Sequence, residues 1–336
     1  MKKKILSSIK YIVLLLIGVL LLYLAFRGQD INKILLGIKN ANFFWIFLSL
    51  ITSLIAFFSR AYRWNLLIEP LGYQPKLRNS FYSLMVGYLA NLAIPRLGEI
   101  SRCVSLNKSE KIPTDLLIGT VIVERTIDVI SLLILTIVLA LLEFNRLGNF
   151  ILSKIFLPIY HKLVAAAGNY FLLSAAGILV VVFCLYIFFL KRQKTQFAFV
   201  RKFISGILTG FKTISHMKKS ASFIAHTCLI WTMYFFMSYL CFFAIEPTSH
   251  LGLTEGFFSL IIGGMGMSAP VQGGLGTFHL LVSQGLTLFG VSETDGLVYA
   301  TIVHTSQFLF VLLLGGFSFF ALTFSQNTNQ PDVEHP

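Results

Sequence analysis

The sequence predicts an all-α polytopic membrane protein, and three features lead to this fold class. Only 12% of the 336 residues are charged and 56% are hydrophobic, whereas about 25% of a typical soluble chain is charged. Six segments of 16 to 27 residues are almost free of charge, which is the length that a helix needs to cross a bilayer. Two further apolar regions are broken by Gly and Pro.

The six apolar segments are predicted to be full spans, because a helix satisfies its own backbone hydrogen bonds in lipid. The first follows the basic start MKKK and is followed by LAFRGQD rather than by a small-residue cleavage site. We therefore expect a retained span and not a signal peptide. In chain order the segments are residues 11–26, 42–59, 116–142, 169–190, 221–245 and 297–322.

These spans are expected to form one integral membrane domain over residues 1–323, with halves of about 1–165 and 166–323. The remaining residues, 324–336, read SQNTNQPDVEHP from position 325 onwards. Such a short polar stretch has too little apolar surface to form a core. We expect it to be a disordered tail.

The distribution of Lys and Arg decides how the first broken region, residues 80–105, is threaded. If it is a re-entrant hairpin, residues 1–10, 60–79, 96–113 and 191–220 share one side and hold 20 of the 27 basic residues. If it crosses completely, the two sides hold 11 and 15. The positive-inside rule favours the hairpin and a cytoplasmic N-terminus.

The second broken region, residues 253–290, resembles the first. SLMVGYLANLAIPRLGE (83–99) and SLIIGGMGMSAPVQGGLG (259–276) both begin Ser-Leu-x-x-Gly. Each reaches a proline, Pro95 or Pro270, and a glycine three residues later, Gly98 or Gly273. Three predicted spans separate them, so the second copy would enter from the opposite face. The pattern predicts an inverted repeat, and the alternative is chance similarity between Gly-rich apolar segments.

The first break carries a group of charges. Pro95 disfavours helix at Ile94, so a helix is expected to end there. If a helix resumes after Pro95, Arg96, Glu99 and Arg102 form a connected stripe at i, i+3 and i+6. The planar donors of arginine suit a phosphate group, and a helix N-terminus favours an anion as well.

A second charged group, Glu124, Arg125 and Asp128, lies inside the third apolar segment, with Glu124 about 12 Å from its start. A charge at the centre of a span costs about 3 kcal/mol, so these side chains are expected to face the protein interior. Two interpretations stay open. Glu124 or Asp128 pairs with Arg96 or Arg102 in a structural ion network, or the charges form a headgroup or proton site.

The second break, APVQGGLGTFH, contains no charged residue. Its glycines permit unusual backbone angles, and we expect Gln272, Thr277 and His279 to provide polar contacts. The residues predicted to break the helices in the two regions are Asn91, Pro95, Gly98, Pro270, Gly273, Gly274 and Gly276.

Several function classes find no support in the sequence. The net charge of +13 lies in loops between apolar segments, which indicates orientation and anionic lipid headgroups and not nucleic acid. The four cysteines are scattered with no metal-ligand spacing. No HExxH, P-loop or GxSxG motif is present. We therefore expect no catalytic residue, no metal and no cofactor. We also expect that the protein is not an enzyme.

Three motifs, taken together and in order, resemble a known family. They are N-x-x-x-P-R-x-G-E-x-x-R (91–102), E-R-x-x-D (124–128) and P-x-x-G-G-x-G (270–276). They resemble the flippase-like transmembrane domain of bacterial lysylphosphatidylglycerol synthases, which also occurs as a free-standing membrane protein, over about residues 5–323. This chain departs from the family where His279 stands in place of an acid.

The resemblance implies a lipid translocase that moves a phospholipid, or another anionic or aminoacylated lipid, between the leaflets of the bacterial inner membrane. Arg96, Arg102 and Arg125 would contact the headgroup phosphate, and Glu99, Glu124 and Asp128 would support them or meet a cation. Membrane lipids are the expected partners. Two alternatives are an accessory subunit for a glycosyltransferase or other lipid-modifying enzyme that acts on lipid carriers, and an enzyme such as a phosphatidylglycerol lysyltransferase.

Overall fold

The computed structural model describes residues 2–143, 157 and 217–327, and within these ranges it contains α-helices, short 3₁₀ turns and no strand. The polytopic all-α prediction is confirmed. The predicted span 169–190 and residues 328–336 of the predicted tail 324–336 lie outside the described residues. In chain order the helices are α1 (Lys2–Phe26), α2 (Ile31–Lys39), α3 (Phe43–Ile68), α4 (Leu77–Ala93), α5 (Leu97–Glu110), α6 (Thr114–Leu142), α7 (Ser220–Tyr239), α8 (Leu253–Ser268), α9 (Thr277–Leu286) and α10 (Glu293–Asn327).

Four of the described helical segments are long and apolar enough to cross a membrane: Phe43–Leu71, Thr114–Leu142, Ser220–Ala244 and Glu293–Phe324. A fifth is obtained if α1 and α2, which meet at a bend of 92°, are counted as one broken span. All five predicted spans within the described ranges are therefore helical.

The chain divides into two compact units, one of residues 1–125 and 217–336 and one of residues 126–216. The described part of the second unit is the continuation of α6 from Thr126 to Leu142, together with Glu143 and residue 157. The site described below lies entirely in the first unit. The single domain with halves at about residue 165 stays a prediction.

The end of α3 corrects the sequence analysis. The span was predicted to stop at residue 59, with residues 60–79 in a cytoplasmic loop, but the helix continues to Ile68. Arg60 and Arg63 are consequently inside the protein, with only 5% and 0% of their surfaces exposed. Charge alone suggested a loop, whereas the packing of both side chains against other helices keeps this turn helical. The threading of the chain stays a prediction.

The first broken region is a helical hairpin formed by α4 and α5. Ile94 is extended (φ −136°, ψ 119°), as expected before a proline, and Arg96 takes the left-handed conformation with φ 67°. Asn91 stabilises the turn because its Oδ1 accepts a hydrogen bond of 2.7 Å from the amide of Gly98, in the first turn of α5. This contact satisfies one of the backbone donors that a helix start leaves open.

The two helices of this hairpin touch at glycines. A Cβ atom added to Gly98 would lie 2.2 Å from the carbonyl oxygen of Gly87, and one on Gly87 would lie 2.8 Å from that of Gly98. Gly98 was predicted to break the helix. It lies inside α5 instead, and it is needed for close approach and not for an unusual backbone angle.

Gly98→Ala is expected to destabilise the protein by about 1–3 kcal/mol or more, because the added methyl group meets backbone that has no room to move. The measurement is thermal unfolding in detergent. Gly119→Ala in α6 is the control, since nothing lies within 4 Å of its Cβ position, and there alanine should be neutral or stabilise by about 0.5–1 kcal/mol. Equal melting temperatures for the two variants would contradict the hairpin contact.

The second broken region is a hairpin formed by α8 and α9, with a longer break at residues 269–276. Three of its glycines have positive φ: Gly273 (55°), Gly274 (73°) and Gly276 (79°). Thr277 ties the break to the end of α8, because its hydroxyl donates to the carbonyl of Gly266 at 2.7 Å and lies 3.0 Å from that of Gly274. Both predicted breaks are therefore present, and the inverted repeat that would relate them stays a prediction.

The second break packs against the first hairpin and against α1. A Cβ on Gly273 would lie 3.4 Å from the side chain of Leu92 in α4. A Cβ on Gly276 would lie 2.5 Å from the carbonyl oxygen of Gly18 in α1. The two breaks are thus close to each other in the interior, although residue 92 and residue 273 are far apart in the sequence.

Candidate functional site

Three arginines from two helices converge on one glutamate. Arg60 and Arg63 lie on α3, Arg102 lies on α5, and Glu124 on α6 is fully buried. The Glu124 carboxylate forms a direct ion pair with Arg60. It lies 3.1 Å from a terminal nitrogen of Arg102 and 3.8 Å from one of Arg63. We call these three arginines with Glu124 the arginine cluster.

Neutral side chains also hold each arginine of the cluster. Arg60 donates to the Tyr234 hydroxyl of α7 at 3.0 Å, and Arg63 donates to the Thr227 hydroxyl of α7 at 3.2 Å.

The guanidinium of Arg102 lies over the ring of Trp64, 4.7 Å from its centroid, which is a favourable cation–π position. The ring itself is fixed because its Nε1 donates to the Thr120 hydroxyl at 2.9 Å.

A second ion pair joins α5 and α6 beside the cluster. Arg125 lies 3.5 Å from Glu99, and their side chains are 39% and 31% exposed, whereas Arg102 and Glu124 on the same two helices are buried. The two pairs have opposite polarity, because α5 supplies the acid in one and the base in the other. We call Glu99–Arg125 the outer ion pair.

The charges in this region do not balance. Among the described residues, the buried cluster holds three arginine side chains and one carboxylate, that of Glu124. Asp128 belongs to the second unit and is half-buried on α6. Since buried charge is costly unless it is neutralised, an excess of cations at this depth favours an anionic ligand.

The predicted stripe of Arg96, Glu99 and Arg102 is divided in the structure. Arg102 joins the buried cluster and Glu99 the outer ion pair. Arg96 is exposed at the turn, and within the described residues it makes no ion pair. The reason is that α5 begins at Leu97, so Arg96 precedes the helix in a left-handed conformation and does not share its face.

Sequence reasoning missed Arg60 and Arg63. A signal was nevertheless present, because Ser49, Ser53 and Ala56 precede them at helical spacing and are fully buried. Small and polar residues that recur every three or four positions mark the side of a helix that packs against other helices in a membrane. Continuing that stripe by one turn leads to positions 60 and 63, and so places both arginines in the interior.

Two buried histidines, His279 and His304, lie against the second break. The Nε2 of His304 on α10 lies 2.8 Å from the carbonyl oxygen of Gly273; a carbonyl only accepts, so this nitrogen carries the proton. His279 is also buried, and its ring centroid is 4.7 Å from that of His304. Gln272 lies at the start of the 3₁₀ turn in this break. Of the polar residues predicted here, Thr277 has the most evident role, which is to join the break to α8.

No group of three or more His, Cys, Asp or Glu side chains in the described ranges is placed to hold a metal ion. The arginine cluster offers guanidinium groups, which can donate several hydrogen bonds to an oxyanion.

The chain matches one protein family and one curated relative. The family model described as the lysylphosphatidylglycerol synthase TM region matches residues 11–315. The chain is 30% identical over 155 residues to a UPF0104 membrane protein of Methanocaldococcus jannaschii, an alignment that covers 44% of this chain and 46% of that protein. The match thus spans about half the length of that relative. No solved structure matches the chain.

Proposed function

The chain belongs to the family of the lysylphosphatidylglycerol synthase transmembrane region, and from this premise we propose that it moves a lipid between the two leaflets of a membrane. The proposed substrate is a phospholipid, or another lipid with an anionic or aminoacylated headgroup. The proposed location is the bacterial inner membrane with the N-terminus in the cytoplasm. This orientation follows from the distribution of Lys and Arg between the predicted loops.

One observation carries this proposal: three buried arginines, two of them on the candidate span Phe43–Leu71, converge on a single carboxylate of the candidate span Thr114–Leu142. Glu124 lies about 15 Å along the axis of α6 from its first residue. An ionisable group at such a depth is a functional candidate by default. Guanidinium groups bind phosphate through paired hydrogen bonds, so a phospholipid headgroup is the ligand that suits the cluster.

In this proposal the lipid headgroup reaches the arginine cluster by way of the outer ion pair. Glu99 and Arg125 are partly exposed, and next to them Ile100 and Ile122 are 53% and 61% exposed. Apolar side chains on both helices would face acyl chains, while the phosphate would pass from Arg125 to Arg102. The lipid tails would then stay in the bilayer during transfer.

Reconstitution into vesicles tests the proposal. Fluorescent phosphatidylglycerol, aminoacylated phosphatidylglycerol and phosphatidylcholine are placed in both leaflets, and a membrane-impermeant quencher reports how quickly each lipid reaches the outer leaflet. We expect the anionic or aminoacylated lipid to exchange at least about tenfold faster than in protein-free vesicles. Exchange at the protein-free rate for every headgroup would contradict the proposal.

Two other functions are also compatible with headgroup binding. An accessory subunit for a glycosyltransferase or other lipid-modifying enzyme would bind lipid without moving it, and would have no exchange activity alone. An enzyme such as a phosphatidylglycerol lysyltransferase would change the lipid composition of cells that contain it, which mass spectrometry of extracted lipids would reveal. The charge excess around Glu124 accords with headgroup binding, and the vesicle assay separates translocation from binding alone.

A further inference from the structure

We infer that the carboxylate of Glu124 is an internal substitute for a ligand oxyanion: it occupies the anion position of an arginine receptor, and a phosphate group binds by displacing it. The inference rests on the proposed function for the source of that phosphate, which is a lipid headgroup. It concerns regulation of the same site, since the empty receptor is closed by its own glutamate.

The first argument is that the arginines are positioned without Glu124. Tyr234 and Thr227 on α7 hold Arg60 and Arg63 by hydrogen bonds, and the ring of Trp64 supports Arg102. A further aromatic ring faces Arg63, because Phe223 lies 5.6 Å from its guanidinium carbon. These neutral partners would keep the receptor in shape if the carboxylate left.

The second argument is that, among the described residues, every hydrogen bond and ion pair of the Glu124 carboxylate is made with an arginine of the cluster. Among the described residues, the polar contacts of its carboxylate are with Arg60, Arg63 and Arg102. A side chain whose contacts are all with one receptor can be exchanged for a ligand that makes the same contacts.

The third argument is that a carboxylate leaves part of the receptor unused. The Nε atom of Arg102 is buried and, within the described ranges, has no hydrogen-bond acceptor, although Arg102 is only 2% exposed. A carboxylate has two oxygens in one plane, whereas a phosphate presents more oxygens in a tetrahedral arrangement. A phosphate can therefore accept hydrogen bonds from donors that two coplanar oxygens do not reach.

The consequence is an exchange in which the three arginines always have one anion beside them. When the receptor is empty, Glu124 limits the cost of burying three cations. When a phosphate enters, it takes over this role and the carboxylate moves away. The apparent affinity for phosphate is then the intrinsic affinity multiplied by the fraction of time that the site is free of Glu124.

The test is equilibrium binding to the purified full-length protein in detergent. Two probes are titrated into wild type and Glu124→Gln: inorganic phosphate and short-chain dihexanoyl phosphatidylglycerol, with binding followed by calorimetry. Removing the internal anion should raise the apparent affinity for at least one probe by about tenfold or more. Glu69→Gln removes the same charge from the exposed ion pair with Lys219, which belongs neither to the cluster nor to the outer ion pair, and it should change either affinity by less than about twofold.

The two probes separate the sources of the phosphate. A gain for both supports a receptor that recognises the oxyanion itself, and a gain for the lipid alone supports one that also needs the acyl chains. An unchanged or weaker affinity for both probes in Glu124→Gln would overturn the inference, as would an equal gain in Glu69→Gln.

A folding defect is also informative. If Glu124→Gln unfolds in chloride but is recovered in phosphate, an external anion has replaced the carboxylate, as inferred. If it is not recovered, Glu124→Asp, whose shorter side chain reaches the arginines less well, should show the gain in affinity. Failure of both variants to fold in either buffer would show that the carboxylate is a fixed structural group and would overturn the inference.

The outcome for this inference is independent of the outcome for lipid translocation. A gain in affinity without lipid exchange in vesicles would contradict the proposed function and leave the receptor in place. Lipid exchange at the expected rate without a gain in affinity would contradict the role of Glu124 alone.

Discussion

Arg102→Leu is expected to destabilise the protein by about 3–5 kcal/mol and to reduce lipid exchange to the rate of protein-free vesicles. Arg102 is 2% exposed and contacts Glu124 and the ring of Trp64. Removing one partner of a buried ion pair leaves the other charge poorly compensated, which is the main cost. The measurements are thermal unfolding in detergent and the vesicle exchange assay.

Arg96→Ala provides the control for that experiment. Arg96 precedes the same helix and carries the same charge, but it is exposed at the turn. Its substitution should change stability by less than about 0.5 kcal/mol. A similar loss of stability in both variants would mean that general charge, and not the buried contact with Glu124, is responsible.

Gly276→Ala is expected to disrupt the packing of the second break against α1, at a cost of about 3 kcal/mol or more. Two effects add here. Gly276 has φ 79°, which is strained for any residue with a side chain, and an added methyl group would lie 2.5 Å from both the Gly18 carbonyl oxygen and the Leu22 amide nitrogen. Because both neighbours are backbone atoms of one helix, the strain cannot be relieved by a change of rotamer.

Gly290→Ala separates the two effects. Gly290 also has a positive φ, 81°, with ψ 5° where Gly276 has ψ −49°, but nothing lies within 4 Å of its Cβ position. Its substitution should therefore show the backbone strain alone, about 1–2 kcal/mol. If the two variants lose equal stability by thermal unfolding, close packing of α1 on the second break is not what requires glycine at position 276.

Local signals predicted the helices and both breaks well. A proline fixes its own φ and restricts the residue before it, and so Pro95 determines where α4 ends. Apolar segments of sufficient length can only be helices in lipid, which is why all five predicted segments within the described ranges are helical, and four of them form candidate spans by themselves. The intramembrane acid Glu124 was also found from sequence, because burying a charge is costly and calls for a partner.

The boundary of α3 was the prediction that failed, and with it the composition of the cluster. A loop and a buried helical turn that carries arginines have the same composition, so the charges of Arg60 and Arg63 did not distinguish between them. The hydroxyls of Tyr234 and Thr227, more than 160 residues away in the sequence, decide the outcome.

The sequence by itself thus determined the fold class, the two helix breaks and the presence of charge inside the membrane, because backbone hydrogen bonding and proline geometry act over a few residues. Only the tertiary structure decided which charges meet. Arg102 pairs with Glu124 and Glu99 pairs with Arg125, whereas Arg96 makes no ion pair among the described residues. The physical reason is that an ion pair depends on the distance between side chains of different helices, and that distance is set by helix packing at contacts such as Gly87 with Gly98.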